Sequence, residues 1–264
     1  MMKWKTFVIG YALALALLLF AQHRPERAQA QPASFSHIID LTHSIGSGRT
    51  ANAPVRQQIS PQPKPIAAIM RDGAGRSAAA QPFPTRLDAP GLLAPGLWAV
   101  DQIPPERLFA PLVVIDIRKQ ARSNSDYQLS VADIANWEQT HGQIPQGALV
   151  MACTGWAQRW SAPREYRNRD RHGVAHSPGF SLQAAQFLVQ GRNVVGLGID
   201  SASPDAGDET DSPVRAYALS HSVYQIENVA NLWQAPESGG LVLVAPAKLQ
   251  GSSSAPVRVM ALAR

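Results

Sequence analysis

The stretch Pro82-Phe83-Pro84-Thr85-Arg86-Leu87-Asp88-Ala89-Pro90-Gly91-Leu92 carries most of the information in this chain. It sets a threonine, an arginine and an aspartate among prolines and contains no histidine. On its N-terminal side, residues 47–80 are rich in Gly, Pro, Ser, Ala and Gln with weak periodicity. That composition predicts loops and short extended pieces bordering a site. Further back, Ser36 to Leu41 is apolar enough for a first strand, running into Asp40-Leu41-Thr42-His43. On the C-terminal side, Leu112-Val113-Val114-Ile115-Asp116-Ile117 is largely β-branched and predicts a buried strand. Ser130 to Thr140 predicts a helix, because Ser130 has Asp133 three residues later, Val131, Ile134 and Trp137 recur at helical spacing, and Gly142 follows. Ala148 to Cys153 predicts a second buried strand, Ser181 to Gln190 a helix capped by Ser181, and Val194 to Ile199 a third strand. Leu241 to Ala245 and Val257 to Leu262 are the last two strands. Strand and helix alternate in the middle and strands close the chain, so the fold class is α/β, or a mixed α+β sheet. Gly46-Ser47-Gly48-Arg49-Thr50-Ala51 loosely matches a dinucleotide fingerprint, but no helical pattern follows, which argues against a Rossmann fold.

Residues 1–30 read as a secretory signal peptide. Lys3 and Lys5 precede an apolar run from Phe7 to Ala21, and the segment ends in Ala28-Gln29-Ala30. The run is shorter than the roughly 20 residues of a membrane span. An uncleaved anchor is the alternative, but the cleavage-site pattern favours removal, so the mature chain is expected without a membrane span, in the periplasm or secreted. Cys153 is the single cysteine, which excludes an intrachain disulfide, and stability must come from the core. Hydrophobic residues at 45% and charged residues at 16% fit a well-buried globular chain rather than a disordered one. The net charge of +5 is concentrated in the leader, where Lys3, Lys5, Arg24 and Arg27 against Glu26 leave +3, so the remainder carries +2. No basic run with interleaved aromatics is present, which gives nucleic-acid binding no support.

Thr85, Asp88 and Pro90 resemble the metal-binding signature His-x-Gly-Thr-His-x-Asp-x-Pro-x-His of the cyclase family, which includes kynurenine formamidase-like and isatin hydrolase-like enzymes. Other blocks follow in the family's order. Asp40-Leu41-Thr42-His43 is similar to its opening segment, and Trp98-Ala99-Val100-Asp101-Gln102-Ile103-Pro104 to the segment after the metal motif. Thr154-Gly155-Trp156 resembles its TGW turn and His176-Ser177-Pro178-Gly179-Phe180-Ser181 its HxPGxS block. Gly198-Ile199-Asp200 through Asp205 resembles GIDTxSxD, and Glu227-Asn228-Val229-Ala230-Asn231-Leu232 resembles ENxxNL.

The resemblance implies a cyclase-like β/α/β barrel-like single domain over residues 31–264, a homo-oligomer, and an arylformamidase-like hydrolase of amides or cyclic amides that uses zinc or manganese. In the family, the first two histidines and the aspartate of the signature bind metal together with a later histidine and the glutamate of ENxxNL, and the third motif histidine is the base. Carried over residue by residue, Asp88 and Glu227 stand at metal positions, as vestiges. The signature's histidine positions fall on Pro82, Arg86 and Leu92, and its glycine on Pro84. The later histidine falls on Arg215, with His221 nearby as an alternative in a shifted register. Two carboxylates are a poor zinc site, and leucine cannot take a proton.

Arg86 and Arg215 would then sit beside Asp88 and Glu227 and substitute for the metal's charge. Either a free guanidinium edge holds a small anionic ligand, or the four groups close into a salt-bridge network without one. Trp98, Trp156 and Trp160 are candidate walls of an aromatic pocket, or core residues. His176 and His221 are the remaining catalytic candidates. Cys153 with His172 or His176 is a conceivable nucleophile pair, against a buried, inert thiol. His43 either hydrogen-bonds in the core or faces the site. Asp200 and Asp205 read as turn residues. Three functions remain open: a hydrolase acting through altered ligands, a binder of a small anionic or aromatic molecule through Arg86 and Arg215, or a structural member acting through oligomer contacts.

Overall fold

Alternation along the strands decides which side chains meet. In Phe109–Asp116 (β3), Leu112 and Val114 join one buried cluster while Val113 and Ile115 join another. The same split separates Leu149 and Met151 from Val150 and Ala152 in Leu149–Cys153 (β5). Both faces are covered, which is why these strands read as unbroken apolar runs.

The computed structural model describes residues 35–45, 84–93, 96–209 and 211–263. The expected leader, the 47–80 stretch and Pro82 lie outside the described residues. Besides β3 and β5 the strands are β1 (His37–Asp40), β2 (Arg86–Asp88), β4 (Gln128–Leu129), β6 (Gly179–Phe180), β7 (Gly196–Ile199), β8 (Tyr224–Glu227), β9 (Gly240–Pro246) and β10 (Ser254–Ala263). The main sheet runs β1-β10-β2-β8-β7-β5-β3-β9, and β9 pairs back onto β10. Seven strands therefore close into a barrel-like sheet, with β1 attached outside the ring. The strands β3, β5, β7 and β8 are mutually parallel, and the remaining pairings in the sheet are antiparallel. This is the expected mixed α/β single domain with a cyclase-like barrel.

The interior is filled by Leu87, Leu112, Val114, Leu149, Met151, Tyr224, Ile226, Val242 and Val259. Each large apolar side chain fully buried there stabilises by about 1.5–3 kcal/mol. Gly196 makes room for one of the largest: a Cβ at that position would lie 2.5 Å from the Tyr224 ring.

The helices are α1 (Arg118–Ser123), α2 (Val131–His141), α3 (Pro163–Arg167), α4 (Leu182–Gln186) and α5 (Pro213–Ser220). Ser130 and Asp133 form the expected capping box on α2, which buries Ile134 and Trp137 against the outer face of β3 and β5. Ser181 caps α4 by accepting from the Ala184 amide at 3.1 Å. The expected helix through Gln190 continues past α4 only as a π turn, Phe187–Gly191.

Seven elements escape the sequence reading: β2, β4, β6, β8, α1, α3 and α5. The helix α5 lacks a local side-chain cap at Ser212. Its cap comes from Asp205, whose carboxylate accepts from the Val214 amide at 2.7 Å and the Arg215 amide at 3.3 Å. With the cap supplied from so far back, only Ser212-Pro213 marks the helix start locally.

Candidate functional site: an arginine–carboxylate cluster beside a buried aromatic cluster

Three strands and one helix build the site. In the antiparallel pair β2–β8, Arg86 stands opposite Glu227 and Asp88 opposite Gln225. On the other side of β2, Ser254 of β10 stands opposite Asp88. Leu87 and Ile226 point into the barrel core, so period-two alternation turns Arg86, Asp88, Gln225 and Glu227 to the other face together. The helix α5 places Arg215 against that face.

The result is a four-membered ion cluster. Arg86 Nη2 lies 2.7 Å from Glu227 Oε2 and 3.2 Å from Asp88 Oδ2. Arg215 Nη1 lies 3.4 Å from Asp88 Oδ2, and its Nη2 donates to Glu227 Oε1. The Ser254 hydroxyl donates to Asp88 Oδ1 at 2.7 Å. Both carboxylates are 1% exposed, whereas the Arg86 and Arg215 side chains are 16% and 22% exposed. The guanidiniums thus separate the buried acids from solvent. Burial pushes the Glu227 carboxyl up to about 7, with the Asp88 charge acting in the same direction against Arg86 and Arg215. Burial opposes the Arg86 charge, but Glu227 and Asp88 outweigh it and hold that group above its usual range. The Nε atoms of Arg86 and Arg215 and the Gln225 Oε1 are buried without a hydrogen-bond partner among the described residues.

A buried aromatic cluster adjoins these charges through Asn228, the residue after Glu227. The Tyr166 hydroxyl donates to Asn228 Oδ1 at 2.6 Å, and Trp156 Nε1 donates to the Tyr166 carbonyl at 2.8 Å. Trp160 meets the Tyr166 ring edge-on at 5.1 Å. His43 stacks on Trp160 at 4.0 Å with ring planes 11° apart. Trp156 and Tyr166 are therefore core residues, and Trp160 is partly buried against them. Trp98 has no ring contact with them among the described residues; it lies under the Arg107 guanidinium, 5.1 Å away.

The remaining candidates sit apart from the cluster. His221 ends α5, tilted over Tyr217 with Nδ1 2.8 Å from the Tyr217 carbonyl oxygen, while Arg215 holds the place next to Glu227. His176 pairs through Nδ1 with Asp126 at 2.8 Å, a hydrogen bond that raises its pKa. His172 is exposed and accepts from Arg171 Nε at 3.0 Å. Cys153 is buried, and burial pushes its thiol well up, which removes it as a nucleophile. Leu92 lies in a 3-10 turn with Pro90. Asp200 and Asp205 are more than turn residues. Asp200 is fully buried and accepts from the Thr154 amide and hydroxyl and the Gly155 amide at 2.6–2.9 Å, fixing the turn that carries Trp156. Asp205 holds α5, and so Arg215, in place. Reading each local stretch alone conceals both roles, because the partners lie on other segments.

Among the described residues no group of three or more His, Cys, Asp and Glu side chains could hold a metal ion. No described helix is long and apolar enough to cross a membrane.

The barrel and the face it presents define a class of hydrolase-like α/β protein. Residues 39–206 match the cyclase family, and the chain belongs to that family. Isatin hydrolase of Roseibium aggregatum is 32% identical over 166 residues, 61% of this chain and 62% of that enzyme, so the match spans less than two thirds of the relative. Isatin hydrolase A from Labrenzia aggregata, solved with benzyl benzoate, aligns over 86% of this chain and 93% of its own, with a TM-score of 0.69 and 31% identity. An isatin hydrolase bound to the product analogue thioisatinate aligns over 85% and 91%, with a TM-score of 0.68 and 26% identity.

Proposed function

We propose that this chain uses the cyclase scaffold to bind a small aromatic acid, with Arg86 and Arg215 standing where the resemblance puts metal ligands. The observation that carries this reading is the double bridging of Asp88 and Glu227 by the two arginines, at 2.7–3.4 Å for the three wider contacts. The donor set does not fit zinc or manganese. Such sites take three or four nitrogen, oxygen or sulfur donors. Here two carboxylates are already satisfied by guanidiniums, Asp88 also by Ser254, and the two fixed positive charges would repel a dication. The chain has no histidine between His43 and His141 to make up the set. The Arg86 and Arg215 side chains keep 16% and 22% exposure, and the positive charge they present there suits a carboxylate. Trp160, the partly exposed member of the Trp156–Tyr166–Trp160 cluster, suits a flat ring. Structural relatives were solved bound to benzyl benzoate and to the product analogue thioisatinate, which supports an aryl acid or ester as the ligand.

The leader-like N-terminus supports an exported protein, periplasmic or secreted. Phe109 and Leu243, exposed and opposed in register across β3 and β9, support a homo-oligomer.

The test is metal content after equilibration with zinc and with manganese and removal of excess, together with thermal shift by benzoate and phenylglyoxylate. Sub-stoichiometric metal and a rise in melting temperature with the aryl acids are expected. Tightly held, near-stoichiometric metal overturns the reading.

A second reading is hydrolysis of cyclic amides, favoured by 31% identity to an isatin hydrolase across 86% of this chain. Ring opening of isatin by purified protein, abolished by a chelator, would establish it in place of the first.

A further inference from the structure

His176 stands where three segments meet. The residues after it thread between two neighbours. On one side Gly179 and Phe180 of β6 pair with Gln128 and Leu129 of β4, and the Gly179 amide donates to the Tyr127 carbonyl at 3.1 Å. On the other side the Gly207 amide donates to the Ser177 carbonyl at 2.8 Å, and the Phe180 amide to the Pro204 carbonyl at 2.7 Å. The fit there is close, since a Cβ on Gly207 would lie 2.6 Å from the Ser177 amide nitrogen. The residues before His176 form a hairpin. The His176 amide donates to the Asn168 carbonyl at 3.0 Å, and Arg169 bridges to Ala175. At the hairpin's tip, Asp170 Oδ1 accepts from the His172 and Val174 amides at 2.8 and 2.9 Å.

Each of these three segments sets a carboxylate near the His176 ring. Asp126 Oδ2, from the turn before β4, lies 2.8 Å from Nδ1. Asp170 Oδ2, from the hairpin, lies 3.9 Å from Nε2. Asp208, from the loop after β7, adds its charge in the same sense. Other charged groups on these segments are engaged elsewhere. Glu209 accepts from Gln128 Nε2 at 3.1 Å, Asp205 caps α5, Arg169 donates to the Gly173 carbonyl, and Arg171 donates to His172. An imidazolium has two N–H donors, whereas a neutral ring has one donor and one lone pair. With its N–H kept on Asp126, the neutral ring turns a lone pair to Asp170, and the three carboxylates repel one another.

We propose that His176 is a protonation-dependent clasp: as an imidazolium it ties the 168–176 hairpin to the Asp126 turn and the Asp208 loop, and on losing its proton it releases the hairpin. The hairpin follows α3, whose Tyr166 braces Asn228, and the Asp208 loop carries Asp205, which holds α5 and Arg215. The clasp thus joins two segments that support the arginine–carboxylate cluster, whatever that cluster binds. The hydrogen bond to Asp126, helped by the Asp170 and Asp208 charges, raises the His176 pKa above its ordinary 6.5. The tie is therefore complete below pH 6.5 and is lost as pH rises through the raised value.

The experiment is hydrogen exchange of the whole chain between about pH 6 and about pH 9, spanning the titration of a histidine. It is read as protection factors, which allow for the faster intrinsic exchange at high pH. Protection of the His172, Val174 and His176 amides is expected to fall about three- to fivefold across the range, the scale of an exposed ion pair. His176→Gln keeps a hydrogen-bonding side chain that cannot take the charge, and its hairpin is expected to stay at the less protected level throughout. The same fall in this variant, or no fall in the unmodified chain, overturns the proposal. A second measurement needs no variant: the His176 ring ¹⁵N signals are expected to titrate above pH 6.5. Titration at or below that value overturns the clasp.

Discussion

Arg86 on β2 and Glu227 on β8 are opposed in register, and Arg86 Nη2 lies 2.7 Å from Glu227 Oε2. One face of one strand pair thus carries a buried acid and the base that neutralises it. Arg215 and Asp88 complete a cluster with two charges of each sign.

Removing one arginine breaks that balance. Arg86→Ala leaves two buried carboxylates against a single guanidinium and is expected to cost about 3–5 kcal/mol in urea unfolding. Adding Glu227→Gln restores neutrality around Asp88 and Arg215, so the double variant is expected to be more stable than Arg86→Ala. Strict additivity of the two changes would show that the residues do not interact.

Glu227 predicts a falling stability between about pH 4.5 and 7. Its pKa rises from 4.5 to about 7 on folding, so in that window the folded state holds the extra proton. Stability contributed by this group is complete below the unfolded value and declines as pH rises through the window. Glu227→Gln is expected to flatten that limb of the stability–pH curve, and an unchanged slope would assign it to other groups.

His43 acts in the opposite direction. Its pKa falls from 6.5 to about 4 on folding, so the unfolded chain takes up a proton first as pH drops. Stability from this group is present above about pH 6.5 and is lost as pH falls toward 4. Comparing His43→Phe with the unmodified chain across this range isolates the contribution.

Asp205 controls Arg215 from a distance. Asp205→Ala removes acceptors from the Val214 and Arg215 amides and is expected to cost about 1–2 kcal/mol, as for other lost helix caps. Because α5 carries Arg215, the same change should weaken aryl-acid binding. Asp205→Asn keeps one acceptor oxygen and should retain much of both. Full binding with reduced stability would mean that Arg215 keeps its place without the cap.

Much of the barrel is legible in sequence because its strands β3, β5, β9 and β10 are long or strongly apolar, and because α2 carries its own capping box. The ordered blocks from Asp40-Leu41-Thr42-His43 to Glu227-Asn228 make the family readable, and the missing motif histidines are visible at once. The elements that assemble the cluster are the least legible. The strand β2 has three residues and β8 four, and Gln225 and Glu227 are polar residues on a buried face. A polar side chain at alternate positions signals an exposed face unless a partner from elsewhere covers it. Here α5 supplies that cover.

What the sequence alone determined is the composition of the site: two acids, two arginines and no motif histidine. Tertiary structure decided which of those charges meet. It set Arg215 rather than His221 beside Glu227, turned His43 onto Trp160, and gave Asp200 and Asp205 their buried amide partners. The reason is physical. Strand periodicity and helix caps act over a few residues and are written locally, whereas neutralising a buried charge depends on which distant segments the barrel's closure brings within hydrogen-bond reach.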